Sequence, residues 1–151
     1  MKAWQIACDG TSKNEIIAIG VVLVSPRGKR VEISQRSACK GCSNAAEALA
    51  LIAALEEAKR LGARELAITC DNSILIEQTR GEERTQVPRL APLYAEARVL
   101  LASFVHVDMQ WVPRHKNAEA DVLARAALGL TPKPYLVRNN TRKTRQKAAQ
   151  C

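Results

Sequence analysis

The chain has 151 residues, 47% of them apolar and 25% charged, which is the balance of a single globular domain with a real core and excludes disordered and fibrous classes. No apolar run is long enough to span a membrane, and the Met-Lys start lacks the hydrophobic block of a secretory signal, so a cytoplasmic protein without membrane association is expected. Five cysteines, an odd number with no secretion signal, argue against a disulfide framework.

The net charge of +8 is unevenly placed. Lys133, Arg138, Arg142, Lys143, Arg145 and Lys147 fall in residues 131–151 without one acid, and the other 17 basic residues face all 15 acids. The expected organisation is therefore a folded unit over residues 1–130 and a basic, flexible tail over 131–151. Such a tail suits sequence-independent binding to nucleic-acid phosphates.

In chain order, Ala3-Trp4-Gln5-Ile6-Ala7-Cys8 reads as a strand that delivers Asp9 to a turn at Gly10. After the polar stretch Thr11–Glu15 comes the β-rich run Ile16–Val24, then a turn at Ser25-Pro26-Arg27-Gly28. Residues 29–37 alternate, with Val31 and Ile33 on one side, as in an outer strand. Short connections join these three strands into an antiparallel meander. A helix follows from Ser43 or Asn44, either of which suits a cap, to Leu61, closed by Gly62. Glu47 lies in its first turn, ahead of a run of apolar residues.

Glu65–Cys70 is the fourth strand and runs into Asp71-Asn72-Ser73, repeating the order of apolar strand, cysteine, aspartate and turn. Asp71 is placed to cap a short helix over 74–79. A further helix is expected from Pro88 to Ala102, and a fifth strand over 104–112 with Val105, Val107, Met109 and Trp111 on one side. Pro113-Arg114-His115-Lys116 is a basic loop. Asn117 is placed to cap a last helix that carries Glu119 and Asp121 and stops at Gly129. The order β-β-β-α-β-α-α-β-α makes an α/β protein, a mixed five-stranded sheet with helices on its faces. If the first and fourth strands are parallel neighbours, Asp9 and Asp71 meet at their C-terminal ends, where functional sites of open sheets collect.

An isolated Asp-Gly is ordinarily a turn, and an acid in a first helical turn ordinarily serves the helix dipole. Four carboxylates at Asp9, Glu47, Asp71 and Asp121, each at the edge of an apolar element, suit a different chemistry. Clustered carboxylates repel unless a cation joins them, and Mg²⁺ prefers oxygen ligands. Two such ions about 4 Å apart serve phosphodiester hydrolysis.

These segments resemble type 1 ribonuclease H over roughly residues 1–130. The matching stretches are Asp9-Gly10, the helix start Ser43-Asn44-Ala45-Ala46-Glu47-Ala48-Leu49, and Cys70-Asp71-Asn72-Ser73. The most specific is Trp111-Val112-Pro113-Arg114 leading to Asn117-Ala118-Glu119-Ala120-Asp121-Val122-Leu123-Ala124. The resemblance implies strand order 3-2-1-4-5 and two-metal hydrolysis, with Mg²⁺ or Mn²⁺, of the RNA strand of RNA–DNA hybrids, leaving 5′-phosphate and 3′-hydroxyl ends. It implies Asp9, Glu47, Asp71 and Asp121 as catalytic metal ligands, with Arg114 or His115 as an auxiliary group. Substrate contacts are implied at Gly10, Asn14, Ser43, Asn44, Ser73 and Asn117, with Asn44 facing the minor groove where 2′-hydroxyls mark RNA. A monomer is expected.

Departures from the family pattern fall at the shortened loop Thr11–Glu15 and at the connection Gly81–Gln86, which has no room for an extra basic helix. A binding module of the same fold with little catalysis is an alternative, as is a related nuclease. A proofreading exonuclease would want an acid at position 11, which is Thr11. Cys39 and Cys42 have metal or redox spacing without a second pair, and are expected to be an incidental loop pair. Cys8 and Cys70 alternate away from the aspartates that follow them and are expected to pack beneath the site.

Overall fold

A computed structural model describes residues 2–131 of the chain. The expected flexible tail lies, apart from Thr131, outside the described residues. Five strands, β1 (Ala3–Lys13), β2 (Ile16–Val24), β3 (Arg30–Lys40), β4 (Glu65–Cys70) and β5 (His106–Trp111), form one sheet in the order β3-β2-β1-β4-β5. β1 runs antiparallel to β2 and parallel to β4, and β5 is parallel to β4. The helices are α1 (Ser43–Arg60), α2 (Ser73–Arg80), α3 (Ala91–Ala102) and α4 (Ala118–Ala127). This is the architecture expected from the element order, with helices on both faces.

The core lies between the sheet and α1. Ile6 and Cys8 of β1, Ile17, Ile19, Val21 and Leu23 of β2, and Leu66, Ile68 and Cys70 of β4 pack against Leu51, Ile52 and Leu55 of α1 and Tyr94 and Ala97 of α3. Burying each of these large aliphatic side chains stabilises by roughly 1.5–3 kcal/mol. The opposite face is lined by small residues. Ala18 and Gly20 of β2 lie under Ala120 and Ala124 of α4, all buried.

Two glycines set how closely the helices approach. A Cβ on Gly10 would lie 2.1 Å from the Ala46 carbonyl oxygen of α1, and one on Gly20 would lie 2.1 Å from the Ala120 carbonyl oxygen of α4. No side chain fits at either place. Gly10 thus seats the first turn of α1, which carries Glu47, while Gly20 seats the turn of α4 from Ala120 to Ala124, which carries Asp121.

Several expectations need correction. Asp9-Gly10 is not the end of a strand. β1 continues to Lys13 because β2 pairs with it without interruption from Gln5↔Val24 to Lys13↔Ile16. The turn comes at Asn14 and Glu15, both left-handed at φ 51° and 65°, as a two-residue hairpin requires. Cys42, not Ser43 or Asn44, takes the cap position of α1, and its side chain does not cap the helix. Asn72, not Asp71, caps α2, its Oδ1 accepting from the Leu75 N–H at 3.1 Å. α3 starts at Ala91, since Leu90 N–H bonds back to the Val87 carbonyl and leaves Pro88 in a turn, while Pro92 serves the first helical turn. Val105 precedes β5 and is 68% exposed, and Trp111 is 45% exposed because β5 is an edge strand.

Candidate active site

The site forms where β1 outruns β4. Their parallel register extends to Ala7↔Thr69, and beyond it β1 has β2 alone as a sheet neighbour. Asp9 lies in this stretch, paired across the sheet with Gly20, and Asp71 follows the last residue of β4. α1 brings Glu47 from one side. One ligand oxygen each from Asp9, Glu47 and Asp71 lie within 4.8 Å of one another, with the residues only 5%, 8% and 8% exposed. Asp121, one helical turn into α4, is half-buried beside them, within hydrogen-bonding reach of Asp9. The four carboxylates singled out in the sequence therefore gather at one place, three in a tight group and Asp121 at its margin.

The electrostatics are those of acids crowded out of water. Burial first, then the charges of Glu47 and Asp71, raise the Asp9 carboxyl well above the ordinary range. Glu47 is also raised well above it, by burial and then by Asp71. Asp71 is raised by burial, but less, because the Asn117 amide and the Arg114 guanidinium favour its ionised form. The Gly10 N–H donates to Glu47, while Glu47 Oε2 is buried without a partner among the described residues. A buried oxygen with an unused lone pair, beside two other carboxylates, is a ready cation ligand.

The surrounding amides are shared. Asn117 is 2% exposed, and its Nδ2 donates to the Cys8 carbonyl oxygen at 3.0 Å and to Asp71 Oδ2 at 3.3 Å. It occupies the position before α4, as expected, but makes no side-chain cap bond. Asn44 is also buried, its Oδ1 accepting from Asn72 Nδ2 at 3.3 Å, so one polar bridge joins the starts of α1 and α2. Ser43 is exposed, Ser73 half-buried, and Asn14 exposed at the hairpin tip. Gly10 faces α1 rather than open space. Arg114 and His115 are both exposed on a short 3₁₀ turn, and of the two it is Arg114 whose charge acts on Asp71.

Cys8 and Cys70 are wholly buried free thiols, as expected beneath the site, and burial pushes both thiols up, Cys70 to about 12. Cys39 is an exposed free thiol and is not joined to Cys42.

Sequence reasoning passed over three residues that build this site. Asn72 reads in the sequence as part of a turn and of the stretch Cys70-Asp71-Asn72-Ser73, with no role of its own. Gly20 carried a signal, since an isolated glycine within a strand marks close backbone approach. Tyr94 had none. By spacing it is a core position of α3, yet burial and then the charge of Glu47 push its hydroxyl, without a partner among the described residues, up to about 12. The Trp111 indole N–H donates to the Asp71 carbonyl oxygen at 3.2 Å, which fixes the backbone on which the Asp71 carboxylate stands.

A family model described as reverse transcriptase-like matches residues 7–127. The chain belongs to that family. It is 33% identical over 126 residues to the bifunctional protein Rv2228c of Mycobacterium tuberculosis, covering 82% of this chain and 35% of that one. The chain thus spans about a third of the length of this curated relative. The crystal structure of RNase H1 from the halophilic archaeon Halobacterium salinarum superposes with a TM-score of 0.78 at 35% identity, covering 84% of this chain and 98% of that one. A crystal structure of LC11-RNase H1 in complex with an RNA/DNA hybrid gives a TM-score of 0.74 at 27% identity, covering 83% and 96%. The strand order implied by the resemblance is the observed one.

Proposed function

We propose that the chain is an endoribonuclease of the ribonuclease H type, hydrolysing the RNA strand of RNA–DNA hybrids to leave 5′-phosphate and 3′-hydroxyl ends. The observation that carries this reading is the trio of buried carboxylates within 4.8 Å, with Glu47 Oε2 unpartnered. An all-oxygen donor set of this kind fits a hard divalent ion, and here Mg²⁺ or Mn²⁺ is meant. Asp9, Glu47, Asp71 and Asp121 would hold two ions. When bound, the ions supply Lewis-acid stabilisation of charge developing on the phosphate. The chain's own part is to orient the carboxylates and shield them from bulk water.

Arg114, tied electrostatically to Asp71, is the auxiliary cation in this reading, and it meets a substrate phosphate. Ser43, Ser73 and Asn14 lie at or near the surface and contact the hybrid, and Asn44 and Gly10 shape the floor below it. The hybrid as substrate draws support from the likeness to LC11-RNase H1, solved in complex with one. Residues 1–130 are the catalytic unit, and the basic residues of 131–151 add affinity for the phosphate backbone. Among the described residues no helix is long and apolar enough to cross a membrane. Residence in the cytoplasm and action as a monomer belong to the same proposal.

The test incubates purified protein with labelled hybrid, duplex RNA, duplex DNA and single-stranded RNA, in Mg²⁺, Mn²⁺ or EDTA. Metal-dependent cleavage of the hybrid's RNA strand is expected, abolished by Asp71→Asn in a protein that still folds. Tight hybrid binding without cleavage in either metal refutes the enzymatic reading.

A further inference from the structure

Resting on that reading of the carboxylates, we propose that Asn117 is a positioning residue, which holds Asp71 in its metal-binding orientation and ties the start of α4 to it, rather than a contact to substrate. Its side chain is buried, and both hydrogen bonds from its amide nitrogen point inward, to the Cys8 carbonyl oxygen and to Asp71 Oδ2. The Cys8 carbonyl lies just past the end of the β1–β4 register, where the β4 ladder no longer reaches. Asn117 takes over there and fastens the loose edge to the residue that follows β4. Its backbone acts as well, since the Asp121 N–H donates to the Asn117 carbonyl oxygen at 3.2 Å. One residue thereby links the backbone beside Asp9, the carboxylate of Asp71 and the backbone of Asp121.

The unused half of the amide supports a specific role. Asn117 Oδ1 is buried with no partner among the described residues. A side chain kept for packing alone would not leave a buried acceptor idle, since that is unfavourable. What the position needs is the donor. Asparagine also donates without charge, whereas lysine or arginine there would repel the cations that the carboxylates gather. Partners that orient a metal ligand in this way typically change metal affinity by about 10–100-fold when removed.

The experiment compares the full chain with Asn117→Ala and Asn117→Leu, the second filling much the same volume without a donor. Mn²⁺ affinity of the metal-stripped proteins is measured by calorimetry, kcat and KM on the hybrid over a Mn²⁺ series, and Tm alongside. Mn²⁺ affinity is expected to fall about 10–100-fold in both variants. The hybrid KM stays unchanged, and much of kcat returns in excess Mn²⁺. Ala58→Gly, which weakens the buried far end of α1, eleven residues along the helix from Glu47, serves as the control. It lowers Tm and leaves Mn²⁺ affinity as it was.

A folded variant with the parent's Mn²⁺ affinity overturns the inference, as does a raised KM at unchanged Mn²⁺ affinity, which would make Asn117 a substrate contact. An equal loss of Mn²⁺ affinity in Ala58→Gly also overturns it, because the effect would then be general loosening. The unsubstituted chain separates this failure from the larger one. If it binds no Mn²⁺ and cuts no hybrid, the metal reading of the carboxylates falls first.

Discussion

Replacing Asp9 with asparagine is expected to stabilise the metal-free protein while removing its capacity to hold cations. Asp9 is buried beside Glu47 and Asp71, with ligand oxygens within 4.8 Å. Two unit charges 4.8 Å apart repel by about 3.5 kcal/mol at an effective dielectric near 20. Protonation relieves part of this, so the net penalty at pH 8 is roughly 1–3 kcal/mol. The sign follows from the raised carboxyls of Asp9 and Glu47. In the unfolded chain Asp9 ionises at its ordinary 3.8, whereas in the folded chain it keeps its proton to higher pH. The folded state therefore binds more protons between those values, and stability falls as pH rises through that window. Below it the penalty is absent.

Thermal unfolding in EDTA from pH 4 to pH 8 tests this. At about 4 °C per kcal/mol for a domain of this size, Asp9→Asn melts roughly 4–12 °C above the parent at pH 8, and the two converge towards pH 4. Adding Mg²⁺ or Mn²⁺ stabilises the parent and not the variant, closing or reversing the gap. If Asp9→Asn melts at or below the parent in EDTA at pH 8, the carboxylates do not repel as argued. The case for a cation site is lost with that result.

Gly20→Ala forces a Cβ to within 2.1 Å of the Ala120 carbonyl, so α4 must move; a loss of at least about 3 kcal/mol by urea unfolding is expected, and a loss under 1 kcal/mol refutes the close-approach account. Glu15→Gly relieves a left-handed residue at φ 65° and is expected to gain roughly 1 kcal/mol in the same assay, with no gain counting against strain at the hairpin. Arg114→Ala is expected to lower kcat/KM on the hybrid about 10–100-fold, the scale of a lost charged hydrogen bond, while His115→Ala stays within about threefold; the reverse order assigns the role to His115. Deleting residues 132–151, which hold six basic residues, is expected to weaken hybrid binding and flatten its salt dependence, and unchanged binding discards a role for the tail in affinity.

Much of this protein was legible in the sequence by itself, because its signals are local. The continuous β-rich run Ile16–Val24, the long Ala-Leu helix with Glu47 in its first turn, and the repeated pattern of strand, cysteine and aspartate at Cys8-Asp9 and Cys70-Asp71 determined the element order. They also determined which acids could meet. Burial of Cys8 and Cys70 followed from simple alternation.

Tertiary structure alone decided how the site is held. That β1 runs past Asp9 to Lys13 depends on pairing with β2, which no pattern within Ala3–Gly10 announces. Asn117 has the residue type and place of a helix cap, yet its amide is spent on Cys8 and Asp71, which are far from it in sequence and adjacent to it in space. Tyr94 is a core aromatic by spacing and a neighbour of Glu47 by packing. The Asp9-Gly10 pair shows both sides at once. Its carboxylate could be singled out from local sequence, but its burial and raised affinity for protons arise only when Glu47 and Asp71 arrive from other elements and displace water. Hydrogen bonds and desolvation depend on what the rest of the chain brings to a point in space, and a residue's neighbours in sequence do not record that.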